Sequence, residues 1–175
     1  MMKKKYFFDV LFWVLFIASA VTTCVFNIDK LLYAAPIMAL SVVLYFFAKK
    51  DIKDKIIPFK WWYAAVAPCM AGVIIALFTP AYSMTAVIIG AGIAVLVLLL
   101  GYFRVMNGAD AIGIFFICFA ALPVHLFGFI PVSVVLIVIS YVIGMIMYVA
   151  VPEWRKGIRF LVPMAISCAL FGLFI

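Results

Sequence analysis

Acidic side chains are rare in this sequence, and two of the six stand at the ends of long apolar stretches. Asp51 follows the stretch that ends at Ala48, and Asp110 precedes the stretch that begins at Ala111. Two carboxyl groups held close together cannot both ionise easily, so one of them keeps a proton. The ionised group can then activate a water molecule while the protonated group donates to a carbonyl oxygen. If the fold brings them together, the pair predicts aspartic-protease chemistry, which needs no cofactor and no metal.

Each aspartate also has an ordinary structural interpretation. Asp51 and Lys55 are four residues apart, so they could pair on one face of a helix that extends into the loop. Asp110 follows the turn-forming pair Asn107-Gly108 and could cap the next helix. Asp9 could pair with Lys5, or it could be a third carboxylate near the site. The sequence leaves these alternatives open.

The elements that must position these residues are long and apolar. Hydrophobic residues make up 71% of the chain and charged residues 11%, against about 45–50% and about 25% in soluble domains. A helix needs about 20 mostly apolar residues to cross the hydrocarbon layer. We therefore predict an all-α, polytopic transmembrane bundle, with residues 1–175 forming one domain and no separate soluble domain. The seven predicted spans are 6–27, 31–48, 60–79, 84–103, 110–129, 131–151 and 159–175.

The basic residues predict the orientation of these spans. With a cytosolic N-terminus, all but one of the 13 lysines and arginines fall on the cytosolic side, and the exception is Lys30. Short cytosolic loops collect positive charge in this way. The net charge of +7 then faces anionic lipid and requires no nucleic-acid partner. In this topology Asp51 and Asp110 lie at the same depth, at the cytosolic ends of the second and fifth spans.

The cysteines do not predict a metal site. Cys24, Cys69, Cys118 and Cys168 each lie in an apolar stretch, and none belongs to a CxxC pair. Zinc ligands cluster at short spacing, so we expect these residues to be small buried side chains.

Two segments resemble the catalytic segments of the type IV prepilin and archaeal preflagellin peptidases, which are GxGD-type membrane aspartic proteases. Residues 51–58 read DIKDKIIP, similar to the D-[LI]-[KR]-x-x-x-I-P pattern of the family, and residues 107–110 read NGAD, similar to its GxGD motif. The order of aspartates and spans is also similar. The chain departs from the family pattern at Phe59, Asn107, Ala109 and Ile112.

The resemblance implies a hydrolase that removes the short basic leader from type IV pilin-like or archaellin-like precursors at the cytosolic face of the cell membrane. It implies Asp51 and Asp110 as the catalytic pair and Asp54 and Glu153 as candidate substrate contacts. Residues that support the motifs are Lys53, Ile57, Pro58, Asn107, Gly108 and Ala109. The cysteine-containing insertion of bacterial members is missing, so no N-methyltransferase activity is expected. The alternative function is a catalytically inactive membrane scaffold or a small transporter.

Overall fold

The computed structural model describes residues 2–54, 57–78, 84–126, 130–150 and 160–173, with only the backbone described for residues 2–6, 54 and 126. The described chain is almost entirely helical, as the apolar composition predicts. Short 3-10 turns over Ile28–Lys30, Phe59–Trp62 and Phe171–Leu173 flank three of the helices. In chain order the α-helices are α1 Met2–Phe26, α2 Leu31–Asp54, α3 Tyr63–Phe78, α4 Met84–Tyr102, α5 Gly108–Ala120, α6 Val132–Ala150 and α7 Leu161–Leu170.

Five of these helical segments are long and apolar enough to cross a membrane, which indicates a multi-pass membrane protein. They are the segments of α1, α2, α3, α4 and α6. Much of their outer surface consists of large exposed apolar side chains, such as Phe7 on α1 and Leu96 on α4. Exposed apolar faces of this extent suit contact with lipid and do not suit contact with water.

The predicted helix over 110–129 is wrong in length, because α5 ends at Ala120 and is only 13 residues long. Pro123 explains the early end: proline lacks a backbone N–H and disfavours helical backbone at the preceding residue. The chain turns here and forms a two-residue strand β1, His125–Leu126, paired antiparallel with β2, Ile130–Pro131. His125 therefore lies in a strand and not on the expected helix.

The predicted last span, 159–175, is also shorter in the structure. The helix α7 has only 10 residues, a length of about 15 Å, or roughly half the hydrocarbon thickness. Every residue from Leu161 to Ala169 is buried. α7 packs against α1, α2, α5 and α6, so its apolar surface is covered by other helices and is not turned toward lipid.

The close packing of α5 depends on small residues in its neighbours. A Cβ on Gly72 of α3 would lie 2.6 Å from the carbonyl oxygen of Phe119, so the two backbones touch at this point. The thiol of Cys69, one turn earlier, donates to the carbonyl oxygen of Phe116 at 3.2 Å. Where α4 meets α5, a Cβ on Gly101 of α4 would lie 2.7 Å from the Cβ of Ala111. Side chains larger than hydrogen at these positions would push α5 away.

The turn between α4 and α5 has a defined backbone geometry. Arg104 has a φ of 60°, and its amide donates to the carbonyl of Gly101 at 3.1 Å. The Val105 amide donates to the carbonyl of Leu100 at 2.9 Å. These two bonds form the Schellman arrangement that ends many helices, usually with glycine in place of Arg104. The chain reverses here, so the start of α5 lies beside the end of α4.

Candidate functional site

The last turns of α2 present three charged residues in three directions. The Lys49 ammonium donates to the Asp9 carboxylate of α1. The Lys50 ammonium lies over the ring of Trp61, 5.5 Å from its centre. Asp51 lies within electrostatic range of Asp110 in α5. Successive residues of an α-helix point about 100° apart, so Lys49 and Lys50 contact two different elements, α1 and the turn before α3.

Asn107 is the N-cap of α5, and Asp110 is not. The Asn107 side-chain oxygen accepts a hydrogen bond from the Ala109 amide at 3.4 Å, and its backbone carbonyl accepts from the Ala111 amide at 3.0 Å. The alternative in which Asp110 caps this helix is therefore wrong. Asparagine is among the preferred residues at the N-cap position.

Asp110 and Asp51 lie close enough for their charges to interact. Asp110 is partly buried in the first turn of α5, outside the five membrane-spanning segments. Burial, and to a smaller extent the negative charge of Asp51, raises the pKa of Asp110 from 3.8 to about 7. A group that titrates near pH 7 holds its proton for an appreciable part of the time at neutral pH. The pair can therefore exist with one carboxyl protonated and the other ionised.

The structure also describes most of the other residues of the two motifs. Ile57 is partly buried and packs on the hydrophobic core, and the carbonyl of Pro58 accepts from the Trp61 amide at 3.0 Å. Lys53, Asn107 and Gly108 are exposed, and Ala109 is partly buried. The side chain of Asp54 and the whole of Glu153, named as candidate substrate contacts, lie outside the described residues.

Asp9 has partners that the sequence did not predict. Its carboxylate accepts hydrogen bonds from the Tyr45 hydroxyl at 2.8 Å and from the Lys49 ammonium at 3.1 Å. Both partners lie on α2 and are four residues apart, so they share one helix face. That spacing was the only sequence signal for the contact, because nothing in the sequence indicated which face of α2 meets α1.

A tyrosine of α6 and an apolar cavity lie near α5. Tyr141 on α6 also lies within electrostatic range of Asp110. On the other side of α5, a cavity of about 230 Å³ opens between α3, α4 and α5. It is lined by Phe59, Trp62, Tyr63, Val66, Leu98, Ile112, Phe115 and Phe116. Its lining is almost wholly apolar, so it suits a hydrocarbon group and not a polar one.

No group of three or more histidine, cysteine or acidic side chains that could hold a metal occurs among the described residues.

Comparison with known proteins assigns no relative: neither a protein-family model, nor a curated protein, nor a solved structure matches the chain.

Proposed function

We propose that the chain is a membrane aspartic endopeptidase in which Asp51 and Asp110 form the catalytic pair. The proposal combines the motif resemblance of residues 51–58 and 107–110 with the electrostatic proximity of the two carboxyl groups. That proximity is the observation that supports it most strongly. The two aspartates are 59 positions apart in the sequence. If Asp110 only capped a helix and Asp51 only formed a surface ion pair, nothing would require them to lie close together.

In the proposed mechanism Asp110 holds the shared proton, because burial raises its pKa to about 7. Ionised Asp51 accepts a proton from a bound water molecule as the water oxygen attacks the scissile carbonyl carbon. Asp110 donates its proton to the carbonyl oxygen, which gives a neutral tetrahedral intermediate. Collapse of this intermediate breaks the C–N bond, the leaving amine takes the proton from Asp51, and one hydroxyl of the intermediate returns a proton to Asp110 as the new carboxyl group forms. The pair titrates as a unit, so the two roles describe one protonation state of the pair.

The proposed substrate is a pilin-like or archaellin-like precursor with a short basic leader and an apolar helix. The apolar helix would lie in the bilayer against the bundle, and the leader would remain on the basic side of the membrane. The cut would then fall at the depth of the two carboxyl groups. In this proposal the protein resides in the cell membrane with its active site toward the cytoplasm, in accordance with the distribution of basic residues.

Processing of a co-expressed precursor tests the proposal. We expect wild-type protein to shorten the precursor, whereas Asp51→Asn and Asp110→Asn leave it uncut. Asparagine keeps the size of aspartate but cannot take up and release the proton. We expect Asp54→Asn to retain activity, since it changes a neighbouring acid at the end of α2 that is not assigned to the pair. Cleavage is read from the electrophoretic shift of the precursor and the N-terminal sequence of the product.

Three outcomes would contradict the assignment in different ways. Full processing by the Asp51 or Asp110 variant would exclude the catalytic pair. Loss of processing in the Asp54 variant alone would assign the catalytic role to Asp54 and not to Asp51. If wild-type protein binds the precursor and never cuts it, the chain acts as a scaffold, the alternative function named above.

A further inference from the structure

We propose that Asp9, Tyr45 and Lys49 form a positioning network that fixes α1 on α2 and holds the Lys49 ammonium on the face of α2 opposite Asp51. The network is not part of the proposed catalytic pair, and none of its members belongs to either motif. The inference rests on the proposed function, because it assigns the network the role of setting the charge around that pair.

Both oxygens of the Asp9 carboxylate accept a hydrogen bond within the network. One carboxylate oxygen of Asp9 accepts from the Tyr45 hydroxyl at 2.8 Å, and the other accepts from the Lys49 ammonium at 3.1 Å. The Lys49 ammonium is also 3.3 Å from the Tyr45 oxygen. Three side chains from two helices thus share one closed set of contacts, and the charges of Asp9 and Lys49 cancel.

Aromatic rings enclose the Tyr45 end of the network, while its two charged groups are partly exposed. Tyr45 is only 3% exposed, and its ring stacks on that of Phe12 at a centroid distance of 4.3 Å. The Trp13 ring meets the same tyrosine edge-on at 5.4 Å. The side chains of Asp9 and Lys49 are 23% and 35% exposed. Removing one charge would leave the other partly buried without its partner, so its field would act on neighbouring groups.

The network is linked to the Asp51–Asp110 pair through α2, which carries both Lys49 and Asp51. Lys49 and Asp51 are two residues apart, which places them about 200° apart around the helix axis. Lys49 points toward α1, so Asp51 lies on the opposite side of α2. Across a helix of about 10 Å diameter, an unpaired charge at position 49 would still change the protonation of Asp51 and Asp110.

The other charged and titratable groups around the pair are few in the described chain. Tyr141 faces Asp110 from α6, and Lys50 lies over Trp61. Lys53, Lys60 and Arg104 are exposed, so solvent and salt weaken their effect. The described part of α7 carries no acidic or basic side chain. The ion pair of Asp9 and Lys49 is thus a partly buried charged group whose disruption has a predictable sign.

An infrared titration of the purified protein tests this inference without reference to proteolysis. The protonated-carboxyl band of Asp110 is identified as the band missing from Asp110→Asn, and its pH midpoint is measured. In Asp9→Asn the unpaired Lys49 cation favours the ionised pair, so we expect the midpoint to fall by roughly half a unit to one unit. In Lys49→Met the unpaired Asp9 anion disfavours ionisation, so we expect a rise of similar size.

The double variant Asp9→Asn/Lys49→Met removes both charges and should return the midpoint to the wild-type value. Asp29→Asn and Lys30→Met make the same substitutions in the turn between α1 and α2, at the other end of both helices, and should leave it unchanged. A purely structural role would give no shift, or shifts of equal sign, and either result would overturn the inference. Folding is checked by circular dichroism, and each single variant has a predicted sign of its own, so one folded variant is enough.

The infrared result and the cleavage result can be separated. Opposite midpoint shifts without any precursor cleavage would support the network and contradict the proposed function. Cleavage that depends on Asp51 and Asp110, with no midpoint shift in either single variant, would support the proposed function and contradict the network.

Discussion

Two opposing influences act on the pKa of Asp110 at the start of α5. The N-terminal end of a helix stabilises a nearby carboxylate by about 0.3–1 kcal/mol, which favours the ionised form. Burial favours the neutral form, and it dominates, because the pKa of Asp110 is raised from 3.8 to about 7. One pKa unit corresponds to about 1.4 kcal/mol, so the helix end could offset less than one unit of that rise.

The raised pKa of Asp110 predicts a pH-dependent stability. The folded protein binds the Asp110 proton more tightly than the unfolded chain does, so this stabilisation is complete below about pH 4 and is lost as the pH rises toward 7. The rise from 3.8 to about 7 sets an upper limit of about 4 kcal/mol on the effect. Asp110→Asn removes the dependence. We therefore expect the variant to melt at a higher temperature than wild type at pH 8.

Thermal melts in detergent at pH 4.5 to 8 measure this difference. The advantage of Asp110→Asn should shrink as the pH is lowered, because wild-type Asp110 becomes protonated and no longer carries a buried charge. A variant that is equally destabilised at every pH would show that Asp110 contributes contacts and not a titrating charge.

At the scale of the elements, Gly72 of α3 determines how closely α3 and α5 approach. Its Cβ would lie 2.6 to 2.9 Å from backbone atoms of Phe119 and Ala120, and backbone cannot move as a side chain can. We expect Gly72→Ala to destabilise the protein by about 1–3 kcal/mol, the usual cost of overpacking. Gly92→Ala is the matched control, because a Cβ there meets nothing within 4 Å.

The control substitution has a predicted sign as well. Alanine is favoured over glycine within a helix by about 0.5–1 kcal/mol, so Gly92→Ala should be neutral or slightly stabilising. Melting temperatures of the two variants in the same detergent provide the comparison. Equal effects of the two substitutions would mean that α3 and α5 are not in backbone contact at Gly72.

The sequence predicted the helices well because apolar length is a strong signal, but it could not predict where α5 ends. Seven apolar stretches correspond to seven helices in the described chain. The apolar run across Pro123 was interpreted as one helix, since transmembrane helices often tolerate proline. The structure instead places a turn and a short hairpin there. An apolar run can have the same composition whether it forms a turn or a helix, so its length alone does not show where a helix ends.

The site was predictable only in part for a related reason. The positions of Asp51 and Asp110 at helix ends follow from the run of apolar residues. The contact of Asp9 with Lys49 does not, because it depends on the rotation of α1 and α2 about their axes. Helices that are apolar on all sides carry little information about which face meets which neighbour, and Lys5 was an equally reasonable partner by spacing.

At the scale of the whole molecule, the arrangement of basic residues predicts the orientation in the membrane. The exposed Lys53 lies near the end of α2 that holds Asp51, and the exposed Lys60 lies in the turn before α3. Positive residues concentrate on the cytosolic side of membrane proteins. We therefore expect the end of the bundle that carries both aspartates to face the cytosol.

Cysteine labelling tests this orientation. The native cysteines are first replaced, and single cysteines are then introduced at Lys53, Lys156 and Lys30. A membrane-impermeant reagent added to intact cells should modify the probe at position 30 and leave those at 53 and 156 unmodified. Labelling of position 53 from outside would reverse the topology and place both aspartates on the external face.

The joint action of Asp51 and Asp110 in peptide-bond cleavage is tested most directly by a double-mutant comparison with purified protein and precursor. Groups that act as a unit give losses that do not add. We predict that Asp51→Asn and Asp110→Asn each reduce the cleavage rate to background, and that the double variant is no slower than either. Cleavage at the wild-type rate in either single variant, or losses that multiply in the double variant, would contradict the paired mechanism.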